Sequence, residues 1–181
     1  MQQFYCFVFF KLFGWRMLGE PPQGVDKYLL VVLPHTSNWD FPYGWLATKS
    51  LGLNVKIFAK DAYFFWPLKY VCQWLGLLPV NRRESTSFVD TMVEKFEHAD
   101  ELHLFIAPEG TRSYVEDLKS GYYYLAKKAN VPIVVAGPNF AQKTFVILPP
   151  RQVLASFEED QQQLKEFAKG RIAKRPNNTF R

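Results

Sequence analysis

The segment Pro34-His35-Thr36-Ser37-Asn38-Trp39-Asp40 sets an imidazole five positions ahead of a carboxylate. Such a pair does acid–base work: the carboxylate fixes the histidine tautomer, and the other ring nitrogen can take a proton from a substrate hydroxyl. Asp40 also has a plainer reading, because Ser37-x-x-Asp40 is a helix capping box and the His–Asp spacing alone is common by chance. A second polar cluster, Pro108-Glu109-Gly110-Thr111-Arg112, follows the apolar run Leu102 to Ile106. Gly110 lets backbone approach a ligand closely and Arg112 offers a planar fork for a phosphate, although a surface turn with a Glu–Arg ion pair would look the same. Arg82 and Arg83 follow another apolar stretch and suit a second phosphate contact. Lys60 lies just past the run Val55 to Phe58, where a lone lysine is more often a surface residue than a ligand. His98 and His103 have no partners at metal spacing, so no metal site is expected.

Taken together, these blocks resemble the glycerolipid acyltransferase family, and within it the 1-acylglycerol-3-phosphate (lysophosphatidic acid) acyltransferases. His35 to Asp40 resembles that family's His-x4-Asp block, Gly76 to Arg82 the second, Glu109-Gly110-Thr111-Arg112 the third, and Val131-Pro132-Ile133-Val134 the fourth, in the family's order. Lys60 and Pro67 fall where the family commonly has a Lys and a Pro. Pro34 stands where an Asn is frequent, and Val135-Ala136 where a second Pro is usual. The resemblance implies an ester-forming enzyme that moves a fatty-acyl group from acyl-CoA or acyl-carrier protein to the free hydroxyl of 1-acylglycerol 3-phosphate, giving phosphatidic acid. It implies His35 as general base and Asp40 as its orienting partner. Lys60, Arg82, Glu109, Gly110, Thr111 and Arg112 would hold the acceptor's phosphate and glycerol. No cofactor beyond the thioester co-substrate is implied. No Ser or Cys sits in a nucleophile elbow, which agrees with direct transfer. Another lysolipid or glycerol 3-phosphate as acceptor, and an inactive membrane-bound scaffold, are the competing readings.

The elements needed to position these groups are legible. Tyr28 to Leu33 is a continuous apolar run of the buried-strand kind, and Val55 to Phe58, Leu77 to Val80, Leu102 to Ile106, Val131 to Ala136 and Thr144 to Leu148 supply further strands. Helical patterns fall over 37–51, 67–75, 87–99, 120–129 and 157–172, the last followed by a frayed basic tail. The alternation predicts a single α/β domain with a mixed, largely parallel sheet flanked by helices, and the resemblance makes it a glycerol-phosphate acyltransferase-like fold. Ligands of such sheets sit beyond the carboxyl ends of the strands, which selects the loops 34–40, 59–61, 81–84 and 107–113.

Composition supplies the environment. With 181 residues, 48% apolar and 17% aromatic, the chain carries more aromatic surface than a core of its size requires. A net charge of +5 suits anionic headgroups or phosphorylated metabolites. Aromatic-interleaved basic stretches of the RNA-binding type are lacking, and nucleic acid is not an expected partner. Cys6 and Cys72 read as packing residues in a reducing compartment. The run Phe4 to Phe10, followed by Lys11, Trp15 and Arg16, predicts an interfacial helix with Trp15 and the two cations at headgroup level. Residues 1–19 are thus assigned to a membrane-interfacial segment and 20–181 to the acyltransferase domain. The expected setting is the cytoplasmic face of an anionic membrane, with monotopic or peripheral attachment. The C-terminal Lys165, Lys169, Arg171, Lys174 and Arg175 are expected to form a solvated face.

Overall fold

Strand β2 (Lys27–Val32) is apolar at every position from Tyr28 onward because both of its faces are covered. Leu29, Val31 and Leu33 enter one core cluster, and Tyr28, Leu30 and Val32 enter another. The computed structural model describes residues 1–80 and 88–180. Around β2 they form a seven-stranded sheet with β1 (Arg16–Leu18), β3 (Val55–Lys60), β4 (Leu77–Val80), β5 (Leu102–Ile106), β6 (Ile133–Asn139) and β7 (Thr144–Ile147). The strand order is β1-β7-β6-β2-β5-β3-β4. Among the described strands only β6 and β7 pair antiparallel, as a short connection allows, while β2 lies parallel to both β5 and β6. The sheet is therefore mostly parallel, as the alternation of patterns predicts.

Helices α4 (Phe88–His98), α5 (Gly121–Ala129) and α6 (Phe157–Lys169) supply the cover on one face, through Met92, Phe96, Tyr122, Leu125 and Leu164. The other face is closed by α2 (Asp40–Ser50) and the N-terminal segment, which is α1 (Gln2–Cys6) continued as a π-helical stretch over Phe7–Leu12. Between β3 and β4 lies the short helix α3 (Leu68–Trp74).

Three expectations are corrected. Trp15 is not at a headgroup level: it is 3% exposed, stacked on Phe9 with ring centroids 5.6 Å apart and packed on Tyr43 at 4.8 Å. Directly after it, β1 joins the sheet edge through β7, so this part of the N-terminal segment is built into the domain. Helix α2 begins at Asp40 rather than Ser37, because the Asp40 side chain is turned back onto the preceding loop. The C-terminal tail is not frayed: after α6 it runs back across the sheet edge, with Ala173 and Phe180 buried and Ile172 accepting the Phe140 N–H at 2.8 Å. Its cations are only partly solvated, since Lys165 pairs with Asp117 at 2.7 Å and Arg171 is half-buried.

Candidate active site

The carboxyl ends of β2 and β5 are adjacent, so the loops that follow them face each other. The first carries His35 and Asp40, and the second carries Glu109 to Arg112. Sheet order alone thus joins two clusters separated by some seventy residues in sequence, |i−j| being 74 between His35 and Glu109.

In the first loop one oxygen does most of the organising. Asp40 Oδ2 accepts the backbone N–H groups of Thr36 and Ser37, each at 2.7 Å, and lies 3.2 Å from His35 Nδ1. Bracing of the loop and pairing with the imidazole are therefore made by one buried atom. The carboxylate orients the ring through Nδ1, so the opposite nitrogen, Nε2, is the one available to a substrate. His35 keeps 23% of its side chain accessible, whereas Asp40 keeps 3%. Asp40 Oδ1 is buried with no hydrogen-bond partner among the described residues.

Glu109 completes the hold from the second loop. Its Oε1 accepts the His35 backbone N–H at 2.9 Å, while Oε2 is buried and unpartnered among the described residues. Burial pushes the Glu109 carboxyl up to about 7, an effect opposed by the hydrogen bond from His35 and by the charge of the ring. Glu109 thus faces the histidine's backbone rather than open solvent. The next residue, Gly110, takes φ +65 and exposes its backbone, and Thr111 Oγ1 accepts the Ser113 N–H at 3.3 Å. Arg112 is exposed and is held by its carbonyl, which accepts Asn178 Nδ2 at 2.8 Å. Lys60 ends β3 on the same edge of the sheet, and Arg82 lies outside the described residues.

One positioning residue escaped sequence reasoning. At Gly137 of β6 a Cβ would stand 1.7 Å from the Leu33 carbonyl oxygen, so only glycine lets β6 pass the end of β2 where the chain turns toward His35. The signal was present: a glycine inside a β-branched run marks a close backbone approach.

Residues 20–137 match the family described as Acyltransferase. The chain belongs to the acyltransferase family. Over 85 residues, this family member is 34% identical to the human 1-acyl-sn-glycerol-3-phosphate acyltransferase beta, a match that covers 44% of this chain and 31% of that protein. Less than a third of that relative's length is therefore spanned. The fold is shared with the crystal structure of PlsC, the 1-acyl-sn-glycerophosphate (LPA) acyltransferase of Thermotoga maritima. There the TM-score is 0.65 at 19% identity, over 93% of this chain and 75% of that one. His35, Asp40, Lys60, Glu109 to Arg112 and Gly137 all lie inside the matched residues.

Away from the strand ends, this acyltransferase-family chain exposes a run of aromatic rings. Phe4, Phe7, Phe65, Trp66, Tyr70 and Trp74 are all more than half exposed. Ring contacts connect α1, α2 and α3: Tyr5 to Trp45 at 5.4 Å, and Trp45 to Trp74 at 5.1 Å. Lys49 lies over Trp45 and Lys69 over Tyr70. Among the described residues no helix is long and apolar enough to cross a membrane.

Proposed function

We propose that the chain transfers a fatty-acyl group from acyl-CoA or acyl-carrier protein to the free hydroxyl of 1-acylglycerol 3-phosphate, forming phosphatidic acid. The observation that carries this reading is the buried Asp40 Oδ2 on His35 Nδ1, on a loop that faces the exposed Arg112. His35 Nε2 removes the proton from the acceptor hydroxyl as its oxygen attacks the thioester carbonyl. The resulting tetrahedral oxyanion collapses, the C–S bond breaks, and the leaving thiolate recovers the proton from the imidazolium. Asp40 stabilises that imidazolium and holds the ring in register. Arg112 binds the acceptor's phosphate, with Lys60 and Arg82 as further cationic contacts and Gly110 and Thr111 shaping the turn. Glu109 acts by holding the backbone of His35. The aromatic run with Lys49 and Lys69 suits the interface of an anionic membrane, from which the lysolipid would be drawn. The cytoplasmic face is the side where thioester donors are found.

The deciding experiment is product identification from a panel of lysolipids with both donors, repeated on Arg112→Ala. A charge-assisted contact to phosphate contributes about 1.5–3 kcal/mol, so kcat/KM for the phosphorylated acceptor should fall about 10- to 150-fold. Equal use of acceptors with and without a phosphate by the unmutated chain would sink the reading.

A further inference from the structure

The C-terminal strap, beyond the family match, is tied to both site loops. The Arg175 N–H donates to Thr36 Oγ1 at 3.2 Å, and Asn178 Nδ2 donates to the Arg112 carbonyl at 2.8 Å. Thr36 is itself 1% exposed and adjoins His35, so the strap is anchored beside the proton-accepting residue. Between strap and loops lies a cleft of about 360 Å³ lined by Thr36, Ser37, Trp39, Arg112, Arg175 and Asn178 among others. No carboxylate lines it, and both guanidinium residues are exposed on its walls. Neither arginine has an ion-pair partner among the described residues. Two cations from segments far apart in sequence, on backbones fixed by hydrogen bonds and without counter-charge, form a place for a dianion.

We propose that Arg175 is a second phosphate-binding residue, closing with Arg112 on a phosphate monoester in this cleft. The ligand's chemical class is a phosphate monoester on an organic carrier. It has two sources here: the acceptor's glycerol phosphate and the 3′-phosphate of coenzyme A. The identity of the substrate rests on the function proposed above, whereas the binding does not. Strap residues thereby join the site through Arg175, and the tail that the sequence leaves as a solvated face becomes one wall of it.

The test is calorimetric titration of the full chain with glycerol 3-phosphate and, separately, with coenzyme A and dephospho-coenzyme A, followed by steady-state kinetics. Arg175→Ala should weaken one of the phosphate monoesters by about 10- to 100-fold, the range of a charge-assisted contact. Arg175→Lys should recover part of it, since a point charge replaces the fork. If the acceptor supplies the phosphate, glycerol 3-phosphate binding weakens and the lysolipid KM rises with kcat nearly unchanged. If the donor supplies it, coenzyme A weakens while dephospho-coenzyme A does not. Unchanged binding of both monoesters in Arg175→Ala overturns the proposal, as does complete loss of recovery by Lys with a lowered melting temperature, which would mark a structural role. The fold should survive, because the strap is held here through the Arg175 backbone; Arg175→Gln repeats the measurement with the stem retained. A chain that binds glycerol 3-phosphate through Arg175 yet acylates no lysolipid keeps the subsite and loses the proposed function. One that makes phosphatidic acid with Arg175→Ala unaffected does the reverse.

Discussion

The two loops at the carboxyl ends of β2 and β5 are built on opposite principles. Around His35 the side chains are fixed: Asp40 and Glu109 are buried, and both spend an oxygen on the backbone of the histidine loop. Around Arg112 the backbone is held and the guanidinium groups are exposed: Arg112 and, on the strap, Arg175 both face solvent. A proton-transferring group must be oriented before substrate arrives, since misplacement by an ångström is costly in rate. A phosphate-holding group gains from reach, and an exposed guanidinium stays charged throughout the ordinary pH range. In the proposed function, the base therefore has fixed, buried surroundings and the phosphate contact an exposed side chain, one strand spacing apart.

The strongest way to break this contrast is at the rigid side. His35→Ala should lower turnover by about 10²–10⁴, the contribution of a positioned base, and sets the reference. Asp40→Ala removes one acceptor from three donors, so it should lose turnover and also stability, by about 1–3 kcal/mol for buried N–H groups left unpaired. Asp40→Asn divides the two effects. Its amide oxygen can occupy the place of Oδ2 and keep all three donors, so the tautomer and helix start survive while the charge that steadies the imidazolium is lost. Thermal melts close to the unmutated chain with turnover down at least about 10² are expected. An Asn variant with normal turnover would leave Asp40 as a helix-starting residue only.

Glu109 sharpens the comparison through pH. Burial pushes its folded carboxyl up to about 7 from an ordinary 4.5, so between those values the folded chain holds a proton that the unfolded chain has released. Stability contributed by the protonated form is fully present below pH 4.5 and is lost as pH rises through 7. The span corresponds to about 3 kcal/mol. Gln keeps the acceptor for the His35 N–H and cannot ionise. Unfolding free energies at pH 5 and pH 8 should therefore differ less in Glu109→Gln than in the unmutated chain. Equal pH slopes in the two proteins would show that the Glu109 carboxyl is solvated in the folded chain.

What the sequence made legible was whatever is local or periodic. The two-sided burial of β2 is written in its uninterrupted apolar run, and the His35–Asp40 contact closes within one turn of chain. What it left out depends on distant packing. Nothing local says that Glu109 is spent on the His35 backbone, since that contact exists only because β5 lies beside β2. Nor does a basic tail announce that Thr36 and Arg112 will hold it. Trp15 shows the converse: an aromatic beside cations has the composition of an interfacial anchor, yet stacking on Phe9 and Tyr43 places it in the core.

That last point changes how the smallest expected effect must be measured. Deleting residues 1–18 would remove buried Phe9 and Trp15 and strand β1, so loss of vesicle binding could follow from loss of fold. Point changes on the exposed rings avoid this. Phe4→Ser with Phe7→Ser alters the α1 end of the aromatic run, and Trp66→Ser with Tyr70→Ser alters the α3 end; all four are more than half exposed. Exposed substitutions of this kind shift stability by about 0.5 kcal/mol or less, whereas each ring withdrawn from a bilayer forfeits about 1.5–3 kcal/mol of apolar burial. Sedimentation with vesicles containing anionic lipid should weaken at least about tenfold for whichever pair inserts, with the melting temperature unchanged and activity on a monomeric short-chain acceptor retained. If both pairs bind vesicles normally, the run of rings is not the membrane face. If only the α3 pair matters, the interface lies beside β3 and β4, on the side where Lys60 ends its strand, and the N-terminal segment is a piece of the core with an exposed edge.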